Sequence, residues 1–258
     1  MNEKPRIVVW FSCGAASAVT VKLVQAKYSA THDIAIVRCV VADEDVDNWR
    51  FAIDCEKWFG ANVWEIEGKF PSAESVWRSR RYMSGTHGAP CTAEMKKAPR
   101  WDFEAKWKPD LQAYGFTAEE QHRADRFREQ NPDVKMVTPL IEAGLGKNDC
   151  LAMVERAGLV LPAMYRLGYN NANCVGCVKG QGPNYWNRVR RTHPDVFKRR
   201  AELSRELNCR LVKLTTGDRE RIFLDELPDD YRSDEPEPSW DCSLLCAIAE
   251  THIERLPD

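Results

Sequence analysis

Two sets of residues carry the chemistry this sequence could perform. The first is a run of small side chains, Ser12-Cys13-Gly14-Ala15-Ala16-Ser17, between a short β-branched stretch and a helix-forming one. Side chains this small let backbone N–H groups approach an anion at the positive end of a helix, which is how phosphate is cradled. A turn built only for close packing has the same composition. The loop also lacks the lysine of the GxxxxGK(S/T) pattern and the spacing of GxGxxG. The second set is the cysteines. Cys174 and Cys177 form a C-x-x-C pair in a Gly- and Asn-rich loop, where both sulfurs can point at one ion while backbone N–H groups face the thiolates. Cys242 and Cys246 stand one helical turn apart on one face of a terminal helix. Cys91 follows a Gly-to-Pro loop that also presents His87. On spacing alone such thiolates fit zinc and an iron–sulfur cluster equally.

The remaining cysteines read as small hydrophobes. Cys39 lies in an apolar strand, Cys55 and Cys150 on helices, Cys209 before a strand, and Cys13 packs within the loop. Ten cysteines in a chain read as cytoplasmic argue against a disulfide framework. No apolar run approaches the roughly 20 residues of a membrane span, and the first residues do not read as a secretory signal. With 37 basic and 39 acidic residues the net charge is −2, so any anion site must be local. The cationic run after the C-x-x-C loop (Lys179, Arg188, Arg190, Arg191, Lys198, Arg199, Arg200), interleaved with Tyr185, Trp186 and His193, reads first as a solvated helix face. Nucleic-acid binding is the alternative. Arg78, Arg80 and Arg81 lie where a second phosphate or a sulfate could be gripped.

The elements that must position these groups follow from periodicity. Arg6–Phe11 reads as a strand, Ala18–Tyr28 as a helix, Ile34–Val41 as a second strand leading into Asp43-Glu44-Asp45, and a helix follows that closes at Gly60. Val63–Ile66, Ala113–Phe116 and Val134–Val137 read as further strands. Residues 72–108 read as mostly helical, as do Ala118–Gln130, Asn148–Ala157 and Trp186–Leu207. Strands alternating with helices predict an α/β fold, a doubly wound, Rossmann-like and mostly parallel sheet with ligands beyond the strand ends. Residues 1–226 make the main domain, 227–239 an acidic Pro-rich linker, and 240–258 a cysteine-bearing helical arm folded back over the strand ends.

The order of motifs resembles a known family. Ser12 to Ser17 is similar to the SGGxDS loop of the PP-loop adenine-nucleotide alpha-hydrolase superfamily, and Asp43 to Phe51 sits where its acidic, strand-ending loop stands. Gly115-Phe116-Thr117-Ala118-Glu119-Glu120 with Arg123-Ala124 resembles its G-x-R-x-(D/E)…R-A segment. Thr138-Pro139-Leu140, Leu161-Pro162, Met164-Tyr165, Leu167-Gly168-Tyr169 and Cys174-Val175-Gly176-Cys177 resemble the PL…P…LY-x-x-GY…GCxxC run of PAPS reductase-like proteins. The resemblance covers most of Arg6 to Lys179. It implies an adenine nucleotide (ATP, adenylyl sulfate or PAPS) bound by Ser12, Cys13, Gly14, Ala15, Ala16, Ser17, Asp43, Gly115 and Arg123. It also implies a 4Fe–4S cluster, favoured over zinc, on Cys91, Cys174, Cys177 and one of Cys242 or Cys246, the other terminal thiol being the nucleophile. A thioredoxin-like reductant, and a homodimer, are compatible with it. Three departures stand out. Ala16 replaces the Asp of SGGxDS, Thr117 replaces the first basic residue of the third segment, and Asp241-Cys242-Ser243-Leu244-Leu245-Cys246 stands where sulfonucleotide reductases carry ECG(L/I)H. The function implied is sulfonucleotide reduction. ATP-dependent thiolation of nucleic acid and a non-catalytic nucleotide sensor are the alternatives.

Overall fold

The computed structural model describes residues 3–85, 88–214 and 221–231, together with Ala249 and Ile253. In chain order the first half runs β1 (Arg6–Trp10), α1 (Ala15–Tyr28), β2 (Asp33–Val40), α2 (Asp47–Phe59), β3 (Val63–Glu67) and α3 (Ala73–Arg80). A helical turn α4 (Pro90–Thr92), a π-helical turn (Ala93–Lys97) and α5 (Ala98–Trp107) lead to β4 (Leu111–Ala113). A 3-10 turn (Ala118–Glu120), α6 (Gln121–Gln130) and β5 (Met136–Val137) come next. The second half is helical: α7 (Pro139–Glu142), α8 (Lys147–Arg156), α9 (Ala163–Arg166), α10 (Pro183–Thr192) and α11 (Pro194–Glu206), then a small antiparallel pair, β6 (Val212–Lys213) with β7 (Arg221–Ile222).

The five strands form one parallel sheet in the order β3-β2-β1-β4-β5. The chain steps outward on one side from β1 to β3, then returns to start β4 on the other side. That reversal opens a crevice beyond the carboxyl ends of β1 and β4. Strand β1 is covered on both faces from Ile7 onward, which is why Ile7–Trp10 is apolar throughout instead of alternating. Ile7, Val9, Phe11 and Ile36 pack with Val19 and Val21 of α1, Phe51 and Cys55 of α2 and Leu151 of α8. Val8, Trp10, Ala35, Val37 and Tyr114 pack on the opposite face under Phe103 and Trp107 of α5 and Phe127 of α6. The doubly wound α/β reading is the fold observed.

Three details differ from the sequence reading. The helix read from Ala18 begins at Ala15, because Gly14 takes an extended N-cap conformation and Ser17 already lies in the first turn. The strand read at Ala113–Phe116 ends at Ala113, where Gly115 must pass close to α1. The single helix read over Trp186–Leu207 is two helices, broken at His193 because Pro194 lacks the N–H that would continue α10. No helix among the described residues is long and apolar enough to cross a membrane. His87, Cys242 and Cys246, with most of the terminal linker and arm, lie outside the described residues. Ala249 is buried at a cavity shared with Leu23, Ala26 and Lys27 of α1 and Pro139, Glu142 and Ala143.

Candidate nucleotide and thiol site

The loop after β1 is shaped by its own backbone. Cys13 takes a left-handed conformation (φ 54°), which turns its thiol into the core beside Cys55. Burial pushes that thiol up to about 12, so it stays protonated and packs. The outward side of the loop is left to backbone and hydroxyls. The Ser12 N–H (3.1 Å) and Gly14 N–H (3.3 Å) both donate to the Ser17 Oγ, which donates to the Gly14 carbonyl at 2.8 Å. Two N–H groups thus converge on one hydroxyl oxygen at the start of a four-turn helix, an arrangement in which an anion can take the place of the hydroxyl. Gly115 passes close behind the loop. A Cβ on it would meet Ser17 Cα at 3.1 Å and Ser17 N at 3.2 Å, backbone against backbone.

A cavity of about 750 Å³ opens on this loop. Ser12, Gly14, Ala15, Ala16 and Ser17 line it, with Gly115, Phe116 and Thr117 after β4. Four cations, Lys96, Arg100, Arg123 and Lys147, stand around it against two carboxylates, Glu119 and Glu120, so a chain of slightly negative net charge has a locally cationic cavity. Arg123 is ion-paired with Glu120 and lies over the Phe116 ring. Lys147 begins α8, and burial lowers its pKa. An anion arriving there would act against that lowering. The sequence reading missed Lys147, whose only sequence signal was its place at a helix start. Trp10 and Tyr114, bridged by Gln112 and covered by Arg100, supply aromatic wall.

A second cavity of about 630 Å³ adjoins the first. It is lined by Cys91, Cys174 and Cys177, which brings together the three described thiols that the sequence assigned to one site. Lys96, Arg123, Lys179 and Arg188 line it too, with no carboxylate among the described lining residues. Burial pushes the Cys174 thiol up to about 12, against the pull of Lys96, so at neutral pH a metal binding there would displace a proton. Cys91 is likewise raised by burial, with the Trp77 indole N–H acting against it. That indole nitrogen is buried and has no oxygen or nitrogen partner. A buried donor left without a partner near a thiol suits a thiolate or a cluster sulfide. Tyr185 accepts from the Cys177 N–H at 2.6 Å and bounds the loop. No three His, Cys, Asp or Glu side chains among the described residues form a closed metal site. The donor chemistry fits a thiophilic centre: three soft ligands, cations about them and an indole donor.

The two cavities share one wall, made of Lys96, Arg123, Tyr169, Asn170, Asn171 and Asn173. Tyr165 lines the first cavity below this wall, and burial pushes its hydroxyl up to about 12. Lys96 sits in the π-helical turn that follows Cys91, and such turns recur at functional sites. Burial pulls the Lys96 ammonium down, but the Cys174 sulfur when ionised and the Glu44 carboxylate, 3.2 Å away, outweigh it and hold the ammonium above its usual range.

Asp43 does not line either cavity. Its carboxylate is buried, accepting from Arg200 at 2.6 Å and from the Ala73 N–H at 2.6 Å, and so fixes the start of α3 to α11. Its carbonyl accepts from the Val175 N–H at 2.8 Å, inside the C-x-x-C loop. The cationic run divides accordingly. Lys179 and Arg188 face the thiol cavity, Arg190 is ion-paired with Asp229, and Arg200 is buried against Trp77. Arg78, Arg80 and Arg81 pair with Glu74, Glu94 and Glu206 at the surface and face neither cavity.

No family model matches this chain, and no curated protein matches it in sequence. Among solved structures it is similar to a phosphoadenylyl-sulfate (PAPS) reductase from Candida auris in a phosphate complex. The TM-score is 0.45 and the identity 10%, over 64% of this chain and 79% of that one. It is also similar to the U34-tRNA thiolase NcsA from Methanococcus maripaludis with its 4Fe–4S cluster. There the TM-score is 0.46 and the identity 15%, over 84% of this chain and 77% of that one.

Proposed function

We propose that this chain is an enzyme that binds an adenine nucleotide at Ser12–Ser17 and performs sulfur chemistry on it with thiols in the adjoining cavity, in the manner of a sulfonucleotide reductase. The observation that carries the reading is the shared wall. A ligand whose phosphate rests on the loop can pass its reacting end over Lys96 and Arg123 to Cys91, Cys174 and Cys177. Ala16 leaves the loop without a carboxylate to hold magnesium. Binding would therefore rest on backbone N–H groups and the four cations, which suits a nucleotide held for its sulfur end.

With adenylyl sulfate or PAPS, a thiolate would attack the sulfur. An S–S bond forms, the S–O bond to the nucleotide phosphate breaks, and its electron pair leaves on the phosphate oxygen. A thioredoxin-like dithiol then attacks the enzyme sulfur of that S–S bond, releases sulfite, and is itself oxidised to the disulfide as it regenerates the thiol. The nucleophile assigned from sequence is Cys242 or Cys246. Lys96 and Arg123 are placed to hold the sulfonate and phosphate oxygens through the displacement. A 4Fe–4S cluster held by Cys91, Cys174 and Cys177 would supply an iron with an open position for a sulfur ligand.

Anaerobic purification with iron, sulfide and zinc analysis, calorimetric titration with ATP, adenylyl sulfate and PAPS, and a sulfite-release assay test this reading. Sulfite formed from either sulfonucleotide, with iron and sulfide present, is the expected result. Stoichiometric zinc without sulfide overturns the cluster, and no nucleotide binding overturns the whole. A second reading, ATP-dependent thiolation of nucleic acid, draws on Asn170, Asn171 and Asn173. Their exposed carboxamides on the shared wall offer both donors and acceptors to a base edge. ATP turnover that requires added RNA or DNA, with no sulfite, would establish it instead.

A further inference from the structure

Asp43 and Glu44 each hold a side chain of the thiol cavity's surroundings, and the third carboxylate of that loop, Asp45, reaches the shared wall by a longer route. Its Oδ2 lies 3.3 Å from His193 Nε2, His193 Nδ1 lies 2.8 Å from Thr192 Oγ1, and Thr192 Oγ1 lies 2.7 Å from the hydroxyl of Tyr169. The side chains of Asp45 and His193 are 12% and 20% exposed, so the chain is largely shielded from water. We propose that Asp45, through His193 and Thr192, is a positioning device that fixes Tyr169 in the wall between the nucleotide and thiol cavities.

The direction of the chain follows from its end. A carboxylate only accepts, so His193 Nε2 carries a proton and donates to Asp45. In the neutral ring Nδ1 then accepts from the Thr192 hydroxyl, and Thr192 accepts from Tyr169. Asp45 thereby selects the histidine tautomer and commits the Tyr169 proton to Thr192. The competing acceptor is the Arg188 carbonyl, 2.9 Å from Thr192 Oγ1, so without Asp45 the threonine proton has another place to go. Fixed at its hydroxyl, the Tyr169 ring keeps its packing: Arg188 lies 5.8 Å from its centroid and Tyr185 meets it edge-on at 5.9 Å. The break between α10 and α11 is what turns His193 toward the loop after β2.

This inference rests on the proposed function only for its kinetic consequence; the hydrogen-bond chain can be tested without it. Tyrosines are replaced biosynthetically by 3-fluorotyrosine, giving seven fluorine signals, and Tyr169→Phe identifies one of them. Asp45→Asn, which reverses the end of the chain at constant size, and Thr192→Val, which removes its middle, should each displace the Tyr169 signal. Thr192→Ser should return it. In the nucleotide assay Asp45→Asn should lower kcat about tenfold with KM within about twofold. A Tyr169 signal unmoved in both Asp45→Asn and Thr192→Val, in folded protein, overturns the proposal, and so does a kcat unchanged with the signal moved. Thermal melting shows which variants are folded, and the Thr192 pair carries the fluorine test if Asp45→Asn is not. Absence of nucleotide binding in the unsubstituted protein would sink the proposed function and leave the fluorine result standing.

Discussion

The two adjoining cavities are built on opposite plans. The cavity proposed for the nucleotide is floored by backbone: two N–H groups, a helix start and hydroxyls, with Gly115 crossing close behind. Its cations stand at the rim, and its support is apolar packing and the buried Tyr165. The thiol cavity takes its character from side chains supplied by α4, the C-x-x-C loop, the π-helical turn and α10. Behind its cationic lining stand three consecutive carboxylates, Asp43, Glu44 and Asp45, holding Arg200, Lys96 and His193. A backbone site needs small residues in the right order. A charged site needs counter-charges from distant segments, because each ion taken from water must find a partner.

The sharpest way to break this comparison is to remove a counter-charge. Arg200→Met leaves Asp43 buried without its guanidinium and should destabilise the protein by about 3–5 kcal/mol, read from denaturant unfolding. Adding Asp43→Asn should recover part of that loss, and no recovery would mean that Arg200 acts by packing on Trp77. On the nucleotide side, Gly115→Val forces a side chain against the α1 backbone. It should cost about 1–3 kcal/mol and weaken nucleotide binding, while leaving the thiol content and metal uptake unchanged. If metal uptake falls equally, the two sites do not rest on separate supports.

Asp47, which ties the start of α2 to the start of α9, adds a test by pH. Its hydrogen bond from Arg50 and that from the Ala163 N–H hold its carboxyl down to about 2, below the ordinary 3.8. Because the folded pKa is the lower one, the stabilisation, about 2 kcal/mol, is complete well above pH 3.8 and is lost as pH falls toward 2. Asp47→Asn should flatten the acid limb of the stability curve between those values. The smallest effect expected is that of Lys96→Met, which removes the cation favouring the Cys174 thiolate. It should weaken metal retention about tenfold, measured by competition with a chelator, with little change in folding.

Much of the first half of the fold was legible, for local reasons. The β-branched runs at Arg6 and Ile34, the small loop between β1 and α1 and the left-handed cap at Gly60 each encode their own structure. The C-x-x-C pair was legible as a loop, and in the structure Cys91 lines the same cavity as Cys174 and Cys177. The cationic run was not legible. Lys179, Arg190 and Arg200 look alike in sequence, yet one faces the cavity, one is ion-paired with Asp229 and one is buried. Nor was His193 singled out, because its partner Asp45 is 148 residues away.

By itself the sequence determined the doubly wound alternation, the small-residue loop at the start of α1 and the spacing of Cys174 and Cys177, all set by neighbours within a few turns of chain. Tertiary structure alone decided that Cys13 points into the core, that Asp43, Glu44 and Asp45 anchor Arg200, Lys96 and His193, and that the two cavities share a wall. Those outcomes depend on which charges are withdrawn from water together, and no local pattern records that.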